Sequence, residues 1–541
     1  MQKLKKVMES SYTPIIEIYK DKDIIHSSYR EAIFYGDSMV SSLQEMVMDK
    51  TTLQLIQILD LHKSVNHTQT AIGSATLLRS LIQPPTSLEL ILAKQQALRE
   101  LENNDKLRNA VADYLGEIKN VEGELFSFIE EDFAPMDEYF VLNKAKKSLK
   151  TILKASENIP SPESDYLKIL LSDIKNLENS ATHKLFRGPI YRGLKGIKTK
   201  EEVKFLSLDF RVNPSYLSRD AIASYLLPFA GLLVLKNLEK LGILSVPNEL
   251  SLIGMSPIYG FIIKPVIEYK LAILPLIKRI LNDPQFISTI DSVGKLDELI
   301  SNVSYAKSVP HPTSIPKITD DDSHHFMAKD LRNPVQSKSI KDYVPNEVDL
   351  NGSRLTFITG PNSGGKTSYC KSIMQNQILG QTGSYVLASS ASMSIADKLS
   401  YQAPQFDALQ DEEGRFGTEL KRTRDIFFKT SPRSLVILDE LAEGTTIEEK
   451  MEQSYTILNG FHTIGNNTIL VTHNHELVDN FRNQGKGKYL QVEFVETFPT
   501  HKLTDGISKE SHAQRVAEKI GFSEADIKKY LESKGYLNGK K

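Results

Sequence analysis

The apolar positions of this chain follow three patterns. From Thr52 to Ser180 they recur at three- and four-residue steps, as at Leu77, Leu78 and Leu81 and again at Leu88, Ile91 and Leu92, which predicts amphipathic helices. Pro84-Pro85 interrupts the run, with Thr86 or Ser87 placed to cap the helix that follows. Residues 1–55 alternate charged and apolar positions at roughly helical spacing, as in Ser41–Met48, and a helix returns over Val266–Leu281. In the second pattern, Ala221–Leu235 and Leu250–Ile263 are free of charge. Both are shorter than the ~18–20 apolar residues of a simple membrane-spanning helix. A buried core or dimer-contact helix pair and a membrane-inserted or interfacial hairpin both stay open, the second because basic residues flank the stretch. The third pattern is the short uninterrupted apolar run. Leu355–Ile358, Leu435–Leu438 and Thr468–Val471 each read as a strand of a buried parallel sheet.

Polar residues at the ends of these three strands carry the chemistry. Leu355–Ile358 runs into Gly360-Pro361-Asn362-Ser363-Gly364-Gly365-Lys366-Thr367, the full G-x-x-x-x-G-K-[ST] spacing of a phosphate-binding loop, with Ser368 next in line. Glycines let the backbone turn tightly enough for successive N–H groups to converge on a phosphate, and the helix start adds the positive end of its dipole. Lys366 is placed to reach β- and γ-phosphates, and the Thr367 hydroxyl to ligate Mg²⁺. Leu435–Leu438 ends in Asp439-Glu440: Asp439 to hold Mg²⁺ through water, Glu440 to orient and deprotonate an attacking water. Thr468–Val471 ends in Thr472-His473, which puts an imidazole at the same sheet edge as a sensor of the γ-phosphate. ATP and Mg²⁺ are the cofactors this set implies.

Composition bounds the rest. At 541 residues the chain is too long for one core and suggests three or four units of ordinary globular material, 40% hydrophobic and 25% charged. A net charge of −2 leaves any nucleic-acid surface local. The best local candidate is Asn179–Lys200, with six basic residues (Lys184, Arg187, Arg192, Lys195, Lys198, Lys200) and no acid. Lys144, Lys146, Lys147, Lys150 and Lys154 spread over several faces of one helix and read as solvated. Asp320-Asp321-Asp322 with His324-His325 lacks a defined metal-ligand spacing and reads as a solvated loop. The single cysteine, Cys370, reads as a small packing residue inside the helix after the loop and fits a reducing compartment. The first residues show no apolar signal region, so a cytoplasmic protein is expected, membrane-associated if the hairpin reading holds. Ser523-x-x-Asp526 is a capping box, opening a helix to Lys534 that Gly535 ends.

Four strings together resemble the ATPase domain of the MutS family of DNA mismatch-repair ATPases. They are Thr359-Gly360-Pro361-Asn362-x-Gly364-Gly365-Lys366, Gly383-Ser384-Tyr385-Val386, Asp439-Glu440-x-x-x-Gly444-Thr445 and Thr472-His473-x-x-Glu476-Leu477. Thr70-x-x-Gly73-Ser74-x-x-x-Leu78-x-x-x-Leu81-x-x-Pro84, followed by Gln95-Gln96, is similar to the family's helical core domain, and Asp291–Ala306 to its last core segment. The resemblance implies an α/β P-loop (ABC-like) ATPase domain preceded by an α-helical MutS core and lever domain. The organisation it implies is a helical arm at 1–55, core and lever at 56–180, a clamp-position insert at 181–265, returning lever and core at 266–310, and the ATPase domain with C-terminal dimerisation helices at 311–541.

It also implies that Tyr343 stacks on adenine and His501 lines the same pocket. A homodimer would close a composite site in which Gly414-Arg415-Phe416-Gly417-Thr418-Glu419-Leu420 takes the place of the partner's signature loop. The family's serine and threonine between Gly-Arg and phenylalanine are missing here, so the Gly417 N–H or Thr418 would serve. A core signature beginning near residue 55 leaves too little chain for a separate mismatch-reading domain, and Phe128-x-Glu130 is in the wrong context for its Phe-x-Glu wedge. DNA, branched or duplex, is therefore the expected partner, with a non-DNA partner at a membrane as the alternative.

Overall fold

The computed structural model describes residues 1–11, 47–129, 138–193, 196–203, 210–212, 234, 236–242, 269–361, 364–404, 414–441, 447–495, 498–508 and 520–536. The chain divides into two compact units. A helical unit comprises Met1–Leu43, Asn66–Arg79 and Ala93–Tyr305, and a sheet unit comprises Gln44–Val65, Ser80–Leu92 and Ala306–Lys541.

In the helical unit, two helices matter most: α1 (Ala71–Ile82) and α2 (Pro284–Ser308). Every residue of α2 from Thr289 to Val303 is buried, so its polar groups must find partners inside the protein. Asp291 accepts from Arg79 and lies 2.6 Å from Lys295 Nζ, and Glu298 Oε1 lies 2.8 Å from Lys94 Nζ. Burial works to raise the Asp291 pKa, but the two cations outweigh it and hold the carboxyl below its ordinary range. Asp297 serves the start of α1. It accepts from the Gln69 N–H at 3.0 Å, the Thr70 N–H at 2.8 Å and the Thr70 hydroxyl at 2.6 Å. Glu122 takes the next amides, Ala71 N–H at 2.8 Å and Ile72 N–H at 3.3 Å. These contacts explain the Thr70-x-x-Gly73 string: a Cβ on Gly73 would stand 2.1 Å from Asp297 Oδ2.

The basic stretch enters the helical unit as a helix, Ala181–Arg187, followed by a three-stranded antiparallel sheet of β1 (Ile190–Gly193), β2 (Gly196–Thr199) and β3 (Phe210–Val212), ordered β2-β1-β3. Arg279 ties this sheet down, donating to Ile197 O at 2.6 Å and to both carboxylate oxygens of Glu202 at 2.9 and 2.6 Å. Arg279 holds the Glu202 carboxyl below its ordinary value through that paired bond. The two charge-free stretches, apart from Val234, lie outside the described residues, so the hairpin expectation lies outside them too. Among the described residues no helix is long and apolar enough to cross a membrane. The lysines on helix Glu138–Ser156 are solvated as read, save that Lys144 pairs with Glu124 at 3.3 Å.

Among the described residues the sheet unit has ten strands. They are β4 (Lys317–Thr319), β5 (Phe326–Leu331), β6 (Asn346–Asp349), β7 (Leu355–Thr359), β8 (Ser390–Ser394), β9 (Leu399–Gln402), β10 (Leu435–Asp439), β11 (Asn467–Val471), β12 (Lys488–Val495) and β13 (Phe498–Asp505). The larger sheet runs β13-β12-β7-β11-β10-β9, parallel throughout except for the β12–β13 hairpin. Its three central strands are the three apolar runs, and β7 and β11 are buried at every position. Leu355, Phe357, Val436, Leu438 and Leu470 pack under helices Ile447–Ile464 and His475–Asn483, through Leu458, Phe461, Val478 and Phe481. Each such side chain contributes roughly 1.5–3 kcal/mol of burial, which fixes the strand ends where the chemistry sits. A smaller sheet, β4-β8-β5-β6, completes the unit.

The Asp320–His325 expectation needs correction. Asp321 pairs with His325 at 3.0 Å on the surface, but His324 is buried, its ring Nδ1 3.0 Å from Asn467 Nδ2 and its carbonyl accepting from the same amide at 2.7 Å. Burial lowers the His324 pKa to about 4, so it is a neutral core residue. At the other end, Ser523 and Asp526 form the reciprocal capping box over helix Glu524–Ser533, and Gly535 takes the left-handed conformation at φ +74°.

Candidate functional site

The register of the large sheet brings the predicted groups to one edge. Ile358 pairs with Val471 and Val471 with Asp439, so β7, β11 and β10 finish level. Ligands of open parallel sheets bind at that carboxyl edge. From it leave the Gly360 loop, Asp439-Glu440 and Thr472-His473. Asn362 and Ser363 lie outside the described residues; Gly360, Pro361 and Gly364–Ser368 lie within them.

The loop leads into α3 (Lys366–Gln381). Gly365 is the N-cap, at φ +92°, a left-handed conformation that costs a residue with a Cβ about 1–2 kcal/mol. It offers no side-chain acceptor to the first amides of α3, which the helix's own carbonyls cannot reach. The Lys366 ammonium is folded back on the loop, donating to Gly360 O at 2.6 Å and Pro361 O at 2.8 Å. Burial holds its pKa below the ordinary lysine value, while Asp439 and Glu440 pull it back up. Thr367 Oγ1 donates to Asp439 Oδ2 at 3.0 Å. A hydroxyl and a carboxylate that close form an all-oxygen donor set suited to a hard cation such as Mg²⁺.

Glu440 stands beside them under strain. Its φ is +66°, and its N–H is held by Val471 O at 2.9 Å, which re-aims the side chain over the strand ends. Its carboxylate accepts from the Thr472 hydroxyl and the His473 N–H, both at 3.2 Å, and the His473 ring Nε2 is 3.8 Å away. Glu440 and His473 are therefore one cluster.

Tyr343 and His501 meet at a cleft of about 340 Å³ that opens beside Gly365, Thr367 and Ser368, with Ile340 and Val344 on its wall. The Tyr343 hydroxyl lies 3.2 Å from both Ser368 Oγ and Ser372 Oγ. His501, at φ +61°, is anchored through its carbonyl by Asn346 Nδ2 at 3.1 Å. Cys370 is buried as read, and burial pushes its thiol well up, so it supplies no nucleophile.

Two features went unseen in the sequence. Tyr401, near the end of β9, places its hydroxyl 3.4 Å from Asp439 Oδ2. Gln336 reaches Ser368 Oγ from a short turn and lines the cleft. Neither carries a local motif, because both arrive by tertiary packing. The Gly414–Leu420 segment corrects an expectation: it is the start of α4 (Gly414–Lys429), not a loop, and Gly417 and Thr418 lie in its first turns.

Residues 356–535 match the family model of MutS domain V. The chain is similar to DNA mismatch repair protein msh3 of Aspergillus fumigatus (strain CBS 144.89 / FGSC A1163 / CEA10), 32% identical over 252 residues, 43% of this chain and 21% of the fungal protein. It is equally similar to DNA mismatch repair protein MutS of Shouchella clausii, 32% identical over 244 residues, 42% of this chain and 28% of the bacterial one. The match to DNA mismatch repair protein MutS of Methanosarcina barkeri is longer, 24% identical over 562 residues, 90% of this chain and 60% of that protein. The chain thus spans between 21% and 60% of the length of these relatives. Residues 356–535 thus carry the MutS domain V pattern, and in one relative the similarity to MutS proteins runs along most of the chain.

Proposed function

We propose that the sheet unit is a Mg²⁺-dependent ATPase of the P-loop, ABC-like type, and that the protein couples ATP binding and hydrolysis to conformational change on branched or duplex DNA. The observation that carries the reading is the level strand edge. It sets Lys366, Thr367, Asp439, Glu440 and His473 around one space, beside the Tyr343–His501 cleft.

In this reading Gly360–Ser368 wraps the phosphates, and Lys366 exchanges its bonds to Gly360 O and Pro361 O for phosphate oxygens. Thr367 and Asp439 hold Mg²⁺, which when bound neutralises charge on the β- and γ-phosphates. Glu440 accepts the proton of the attacking water, and His473 reports on the γ-phosphate. The adenine rests against Tyr343 with His501 on the opposite side of the cleft. Two copies close the site, with the first turns of α4 facing the partner's nucleotide. The basic segment over Asn179–Lys200 meets the DNA backbone.

Purified protein should hydrolyse ATP only with Mg²⁺ present and should bind duplex, forked or four-way DNA with a steep salt dependence. No Mg²⁺-dependent turnover would remove the enzymatic part. No low-salt binding to any of these DNAs, or binding unaffected by Lys195→Glu with Lys198→Glu, would remove the DNA part.

A further inference from the structure

Tyr401, next to last in β9, is only 1% exposed. Its hydroxyl crosses to the next strand and donates to Asp439 Oδ2 at 3.4 Å. Thr367 Oγ1 donates to the same oxygen at 3.0 Å, and among the described residues neither hydroxyl uses Oδ1. The Tyr401 backbone is gripped from two sides. Its N–H donates to Thr52 Oγ1 at 3.1 Å, from helix Lys50–Leu55, and its carbonyl accepts from Arg422 Nη2 of α4 at 2.8 Å. The next residue, Gln402, donates through Nε2 to the Thr423 hydroxyl of α4 at 2.9 Å.

We propose that Tyr401 is a positioning residue for the metal-binding carboxylate: its hydroxyl fixes the Asp439 side chain through Oδ2 and leaves Oδ1 for the ion. The inference rests on the Mg·ATP reading of this site. A buried tyrosine hydroxyl needs a partner, and a phenylalanine would fill the same core volume without one. Thr367 cannot do this work alone, since its oxygen is itself a metal ligand in that reading. A phenol is protonated at neutral pH and so serves as a donor to the carboxylate. The backbone grip adds a consequence. Movements of α4 or of helix Lys50–Leu55 reach Asp439 through one side chain.

Tyr401→Phe tests this, because it removes only the hydroxyl. Loss of a partner that orients a metal ligand typically weakens metal affinity about 10–100-fold, and a bond of 3.4 Å belongs at the low end. Mg²⁺ would be titrated into protein carrying a fluorescent ATP analogue, with Mn²⁺ binding followed independently by electron paramagnetic resonance. The expected result is about a tenfold rise in the half-saturating metal concentration, with analogue binding in EDTA unchanged. In an Asp439→Asn background, Tyr401→Phe should then do nothing more, an outcome that general loosening of the core would not produce. Unchanged metal half-saturation in Tyr401→Phe, with wild type responding normally, overturns the proposal. So does an equal loss in the Asp439→Asn background. A wild type that binds the analogue with no metal dependence overturns the Mg·ATP reading, and this inference with it.

Discussion

The N-terminus of α1 in the helical unit and that of α3 in the sheet unit present the same groups, amides with no intrahelical acceptor at the positive end of a helix dipole. In α1 the protein fills the position itself. Asp297 and Glu122, far apart in sequence, take the Gln69, Thr70, Ala71 and Ile72 amides, and Gly73 makes room for the carboxylate. In α3 the cap is Gly365, without a side-chain acceptor, and the first two helical residues offer a cation and a hydroxyl. The same physics is met by the protein's own carboxyl groups in one case and, in the proposed reading, by a ligand's phosphates in the other. A glycine before or in the first turn does not tell them apart; the carboxylate that does or does not arrive from elsewhere does.

The largest expected effect breaks the open site. Glu440→Gln keeps the shape and the bonds from Thr472 and His473 but loses the base, so ATP turnover should fall on the order of 10²–10⁴-fold with nucleotide binding retained. Lys366→Ala should instead lose binding, since in the proposed reading it removes the side-chain cation that meets the β- and γ-phosphates. Turnover and equilibrium binding measured side by side separate the two. Undiminished turnover in Glu440→Gln would falsify the catalytic role. If turnover falls but ATP never promotes association in sedimentation, the shared dimer site goes instead.

The next test makes one substitution at both helix starts. Gly73→Ala drives a Cβ into Asp297 Oδ2 and should cost about 1–3 kcal/mol of stability in urea unfolding, with nucleotide affinity unchanged. Gly365→Ala meets nothing closer than 3.5 Å, the His501 ring, but must hold φ +92°. It should cost about 1–2 kcal/mol and weaken nucleotide binding as well. Equal loss of nucleotide binding in both variants would erase the distinction between a filled and an open helix start.

These two starts also divide what the sequence made legible. The open one was readable because its parts are consecutive: strand, loop, Lys366 and Thr367 follow in order, and the apolar runs before Asp439 and Thr472 locate the same sheet edge. The filled one was visible only as a string, Thr70-x-x-Gly73, because the reason for it is Asp297, more than two hundred residues away. An aspartate in a helical stretch reads as solvated, and only packing shows α2 buried all round. Tyr401 and His324 escaped for the same reason. A tyrosine in a strand and a histidine in an acidic loop take their roles from neighbours on other elements.

The smallest effect asks whether the filled site holds a charged carboxylate as firmly as its bonds suggest. Burial raises the Asp297 pKa above the ordinary 3.8, and the bonds from Thr70 and Gln69 only partly reverse that. Glu122 is raised as well, again by burial first. A folded state that binds its proton more tightly than the unfolded chain is favoured at low pH. The Asp297 contribution is therefore fully present below its unfolded value and is lost as pH rises through its folded one. Asp291 runs the other way: its pKa is depressed, so its contribution is present above the unfolded value and lost as pH falls. Asp297→Asn removes only the first of these. Its cost, read from urea midpoints of wild type and variant between about pH 4 and about pH 7, should be greatest at the acid end and shrink toward neutrality. A cost that grows with pH would mean that the amides and the helix dipole outweigh burial. The α1 start would then be a true anion site, differing from the α3 start only in whose anion fills it.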